Sequence, residues 1–128
     1  MAQKMSRSVS DENRMSVSIQ NGKHAGRSYT LVTPAGRAAD AEAWKHLTTV
    51  LADQARRHPQ YLIVDLAQLE SADPHTLHEL VRASHIVRGL GSGLALACPR
   101  PQVEALLRHL GVDRLIPLYG SLEEALAG

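Results

Sequence analysis

Phenylalanine is absent from this chain, and three Tyr and one Trp are its whole aromatic content. A core must therefore be built from Leu, Val, Ile and Ala, and few flat rings are available for stacking nucleobases. Charge of one sign is also missing. With 14 Lys and Arg against 13 Asp and Glu, the net charge of +1 supplies no strong basic field, so nucleic acid is not an expected partner. The single cysteine, Cys98, allows no internal disulfide; it ends an apolar run, which suits a buried thiol in a reducing compartment and points to the cytoplasm. No apolar stretch approaches the roughly 20 residues that span a bilayer. The longest, such as Leu94 to Cys98, are strand-sized, and membrane insertion is not expected.

Signatures of catalysis are scarce too. Thr33-Pro34-Ala35-Gly36-Arg37 has one glycine and no Lys-Ser/Thr pair, so it is not a phosphate loop. His75 and His78 stand about one helical turn apart, but two further metal ligands are not evident nearby, and solvated helix-face histidines explain them. No Ser-His-Asp or Cys-His set emerges from the residues. The expectation is a protein that is not an enzyme and carries no metal or cofactor.

The pattern that is present is an alternation of two periods. Met1 to Arg14 carries Lys4, Arg7, Asp11, Glu12 and Arg14 around no apolar centre, and is expected to be a flexible tail, with residues 15–128 as one domain. Met15 to Ile19 alternates apolar and polar; Asn21-Gly22 leads towards a loop through Lys23 to Arg27, and Tyr29 to Thr33 forms the second arm of a hairpin. Pro34 and Gly36 are expected to close that strand in a turn or bulge. From Asp40, a helix cap, Ala43, Trp44, Leu47, Val50, Leu51 and Ala55 recur at three and four. Arg56-Arg57-His58-Pro59 stops this helix. Tyr61 to Leu66 is nearly all apolar, as in a central strand buried on both faces.

Asp73, a good N-cap, and Pro74, tolerated at the first helical position, predict a second helix with Leu77, Leu80, Val81 and Ser84 on its inner side. Leu94 to Cys98 follows as a strand. A third helix carries Val103, Leu106, Leu107 and Leu110, with Gly111 just past its end. Leu115 to Tyr119 reads as an edge strand because of Pro117. Ser121-Leu122-Glu123-Glu124 is a capping box opening a last short helix that packs by Leu122, Ala125 and Leu126. The order is strand, strand, then helix and strand in alternation, which implies an α/β fold: a mixed, mostly parallel sheet flanked by helices, with an antiparallel hairpin at the N-terminal edge.

Open α/β folds place working loops after buried parallel strands. Here that loop is Gln68 to Thr76. Its end, Asp73-Pro74-His75-Thr76, is either a plain cap or a helix start that attracts anions. Beyond it, His78, Arg82 and His85, with Glu79 close by, form a polar helix side, either simply solvated or docking a partner.

Val64-Asp65-Leu66 with Leu69-Glu70-Ser71-Ala72-Asp73, then Leu77 and Leu80, resembles the core of the STAS family of anti-sigma factor antagonists. Gly91 to Leu96 and the stretch from Leu110 through Tyr119 to Leu126 resemble that family's C-terminal half, so the likeness covers about residues 15 to 128. The resemblance implies a STAS-like fold and a protein-binding role in partner-switching regulation of transcription. It implies an anti-sigma factor or serine-kinase-like regulatory protein as partner, and leaves a homodimer open. The usual Asp-Ser-Ser-Gly is replaced by Asp73-Pro74-His75-Thr76, which puts His75 at the phosphoacceptor position and removes the hydroxyl; Thr76 and Ser71 are the nearest substitute acceptors. Asp73, Pro74, His75 and Thr76 are expected to bind the partner, with His78 and Arg82 at the rim. The alternative implied by relatives is a ligand-sensing STAS domain that binds a nucleotide or serves a transport-related complex.

Overall fold

The computed structural model describes residues 15–38, 41–57, 61–74 and 77–128. The tail at 1–14, the cap at Asp40, the helix stop at His58-Pro59, and His75 and Thr76 lie outside the described residues. The elements are β1 (Ser16–His24), β2 (Arg27–Ala38), α1 (Ala41–Arg57), β3 (Tyr61–Asp65), β4 (Leu69–Ala72), α2 (His78–Gly89), β5 (Gly93–Ala97), α3 (Pro101–His109), β6 (Leu118–Tyr119) and α4 (Leu122–Ala127). Six strands form one sheet in the order β1-β2-β3-β5-β6, with β4 pairing the far end of β2. Only β1 and β2 run antiparallel; every other pairing is parallel. The mixed, mostly parallel sheet and the N-terminal hairpin agree with the sequence reading.

Strand alternation divides the core. Leu62 and Val64 of β3 face one side, where Leu47 and Leu51 of α1, Leu80 and Val87 of α2, and Val103 and Leu107 of α3 cover them. Ile63, between them in sequence, faces the other side, under Ala125 of α4. Leu62, Ile63 and Val64 are fully buried, which makes β3 the central strand its apolar run predicts. Each such side chain contributes about 1.5–3 kcal/mol by leaving water.

The hairpin corrects the expected turn. Asn21-Gly22 is not the loop but lies inside β1, opposite Thr30 and Tyr29. Asn21 Oδ1 accepts the Thr30 hydroxyl at 2.9 Å. A Cβ at position 22 would sit 2.6 Å from the Tyr29 ring, so the glycine makes room for a cross-strand aromatic. The turn is Ala25-Gly26, both with positive φ, as a two-residue hairpin turn requires.

Pro34 and Gly36 do not close β2 either. Pro34 falls between the last pair with β3, Val32↔Val64, and the first with β4, Gly36↔Leu69. Its missing N–H therefore interrupts neither ladder. Gly36, at φ 99°, adjoins the register shift that lets β2 change partners.

The C-terminal third keeps the expected helices, with shorter strands. β5 ends at Ala97, leaving Cys98 outside it, half-buried and at φ 59°, where the last residue of a strand with a buried thiol was expected. Only Leu118–Tyr119 pairs as β6; Val112–Arg114 forms a 3₁₀ turn and Leu115 is exposed. Among the described residues, no helix is long and apolar enough to cross a membrane.

Candidate functional site

β4 is the main departure from the expected loop. Leu69 is buried beneath the sheet and the short strand runs beside the end of β2, so the chain stays extended through Ala72. The second helix consequently starts later than Asp73-Pro74 predicts. Pro74 sits in a 3₁₀ turn, with the Leu77 N–H reaching Pro74 O at 3.4 Å, and α2 begins at His78 with Leu77 as its N-cap residue. Asp73 is thus not the cap of α2. Leu77 makes no side-chain cap hydrogen bond because its side chain is committed to the core, where it is 1% exposed.

The base of this junction is braced from three directions. Asp65 Oδ1, at the end of β3, accepts the Ala67 N–H at 3.0 Å and turns the chain towards β4. Arg100 Nε donates to Ala67 O at 3.0 Å, and Gln102 Nε2 donates to Glu70 O at 3.2 Å, so the start of α3 grips both ends of that turn. Gly36 N–H donates to Gln68 O at 3.0 Å. Sequence reasoning missed Arg100, Gln102 and Glu70 as supports, since nothing along the chain links residues some thirty positions apart.

Of the predicted partner-binding residues, Pro74, His78 and Arg82 are exposed and Asp73 is half-buried; Ser71, expected only as a substitute acceptor, is exposed as well. Arg37 lies opposite Ser71 across the β2–β4 ladder and 3.9 Å from Glu70. On α2 the organising residue is Glu79. Its side chain is only 14% exposed, against 73% for His78 and 62% for Arg82, and its two oxygens lie 3.6 Å from His78 Nε2 and 3.3 Å from Arg82 Nη1. Arg82 is therefore hydrogen-bonded to Glu79, with His78 beside the same carboxylate, on the exposed side of α2 next to the junction. His85 is exposed one turn further on.

Among the described residues, no group of three or more His, Cys, Asp or Glu side chains is gathered as a metal site. Burial, then the Asp65 carboxylate, raises the Cys98 thiol above its ordinary range, which outweighs a backbone N–H contact from Leu122 and keeps it protonated and weakly nucleophilic near neutrality.

A mixed α/β sheet with three helices on one face, one short helix on the other and a braced strand-to-helix junction at the C-terminal ends of its strands defines a small open α/β domain. The family model for the STAS domain matches residues 16–125, and the chain belongs to that family. Among curated proteins it is 31% identical over 65 residues to a Thermotoga neapolitana homolog of the anti-sigma factor antagonist TM1081, a match spanning 51% of this chain and 58% of that relative's length. Among solved structures it resembles an anti-sigma factor antagonist from Mycobacterium paratuberculosis, at TM-score 0.70 and 22% identity over 88% of this chain and 92% of the other. It also shares its fold with SpoIIAA, the Bacillus cell fate determinant. The unphosphorylated form matches at TM-score 0.63 and 14% identity, over 85% of this chain and 93% of the other. The phosphorylated form matches at TM-score 0.57 and 13% identity, over 86% and 97%.

Proposed function

We propose that this protein is a cytoplasmic, non-catalytic antagonist of an anti-sigma factor, binding that factor through the β4–α2 junction in a partner-switching circuit. The observation that carries the reading is the exposed strip of Ser71, Pro74, His78 and Arg82 on a braced base, in a family whose homologs include proteins named as anti-sigma factor antagonists. Rigid supports under an exposed tip favour binding, because little side-chain freedom is lost when a partner docks. Glu79 does this at the rim for Arg82, whose guanidinium N–H it accepts at 3.3 Å.

SpoIIAA, which shares this fold, has a phosphorylated form. On the family resemblance His75 takes the phosphoacceptor position in this chain, and it offers no hydroxyl. Partner binding here is therefore either constant or controlled by something other than phosphorylation at that position, with Thr76 and Ser71 as the substitute acceptors. The test is to recover the chain from its native cells with whatever is bound and to take its intact mass. An anti-sigma factor bound to unmodified chain supports the reading; an added phosphate that maps to Ser71 or Thr76 restores the ordinary switch. Recovery of the chain with a nucleotide, and no regulatory protein, would replace the reading with ligand sensing.

A further inference from the structure

The two edges of the sheet are treated differently. β6 has two residues, follows Pro117 and lies against α4. β1 has nine, Ser16–His24, with no proline, no bulge and charge only at its hairpin end, in Lys23 and His24. Proteins that keep such edges apart use short strands, prolines, bulges or central charges. β1 has none of these at its centre, where Ile19 is 44% exposed.

The register shows which backbone groups are free to pair. The two-residue turn at Ala25-Gly26 makes His24↔Arg27 the closing pair, whose amides and carbonyls face each other. By alternation, Ser16, Ser18, Gln20, Gly22 and His24 direct their backbone groups at β2. Val17, Ile19, Asn21 and Lys23 direct theirs outward.

We propose that β1 pairs antiparallel with β1 of a second copy, about a two-fold axis through Gln20, joining two sheets into one. A second copy fits because this pattern is its own complement. About that axis Val17 meets Lys23 of the second copy and Ile19 meets Asn21, so all four outward residues of each strand are used and no like charges stand opposite. The Gln20 side-chain amides stand beside each other at the axis and can exchange hydrogen bonds. The two Ile19 side chains become diagonal neighbours on the helix-bearing face. Because the sheets join by their β1 edges and run antiparallel, the two β4–α2 junctions point to opposite ends of the dimer, and each remains open.

The experiment is sedimentation velocity of the full chain over a dilution series, with Ile19→Lys as the breaking variant and its far-UV spectrum as a check on folding. In parallel, Gln20→Cys and Ser28→Cys are each made in a Cys98→Ser background and oxidised mildly. The expected result is a concentration-dependent dimer, weakened about tenfold or more by Ile19→Lys, with an intermolecular disulfide at position 20 and none at position 28. A full chain that stays monomeric throughout overturns the proposal. So does a dimer indifferent to Ile19→Lys and uncrosslinked at position 20, or one that forms only after residues 1–14 are removed, which would assign the edge to the chain's own N-terminus.

Discussion

α2 and α4 leave the same end of the sheet and begin in opposite ways. α4 closes its own start: Ser121 Oγ accepts the Glu124 N–H at 3.1 Å, and Glu124 Oε1 accepts the Gly120 N–H at 3.0 Å. α2 starts at a leucine whose side chain is buried and which caps nothing. One helix start is finished by its own sequence. The other gives its capping position to the core and carries exposed polar residues beyond it.

The largest expected effect comes from breaking the α2 side of this comparison. Leu77→Ala leaves a cavity beneath the junction and should cost about 2–5 kcal/mol in denaturant unfolding, more than a helix-cap residue normally contributes. A loss no larger than that of a cap change would mean that Leu77 is not an anchor. On the α4 side, Ser121→Ala removes the cap and should cost about 0.5–2 kcal/mol. Partner affinity should stay unchanged in that variant, and a parallel loss of binding would merge the two helix starts into one surface.

The smallest effect concerns the clamp on α4. The Tyr61 hydroxyl donates to Ala125 O at 3.0 Å, and Tyr61→Phe should cost about 1 kcal/mol. Burial, and secondarily Tyr119, raise the Tyr61 phenol above its ordinary value, against an opposing pull from Arg27. The folded state therefore holds this proton more tightly than the unfolded chain does. Its contribution is fully present below about pH 10 and is lost as the pH rises through the higher folded value. Tyr61→Phe should flatten that alkaline decline; an unchanged pH profile would remove Tyr61 as its source.

What could be read in advance followed from signals that are local and periodic. The buried run of β3, the three-and-four spacing of α1 and the Ser121 capping box each depend on neighbours within a few positions, and all three stand. The errors arose where distant partners decide. Asn21-Gly22 has turn chemistry, yet it lies within β1 because Thr30 and Tyr29 need an amide and an open space opposite. Leu69 to Ala72 is too short to show a period, and becomes a strand only because Gly36 bends β2 towards it. Asp73-Pro74 carries a genuine helix-start signal, yet α2 begins only at His78. At the candidate site the exposed rim was legible from helix spacing. The supports from Arg100 and Gln102 were not, since they arrive from α3 across the fold.

The central claim is that the β4–α2 junction, and not the α4 start, meets the regulatory partner. It is tested most directly by measuring the affinity of the co-purified anti-sigma factor for His75→Glu and for Glu123→Lys, an exposed charge reversal at the start of α4. The account predicts a loss of about tenfold or more for His75→Glu, equivalent to about 1.4 kcal/mol, and no change for Glu123→Lys. Equal affinities for both variants and the unaltered chain, or a loss confined to Glu123→Lys, would contradict it.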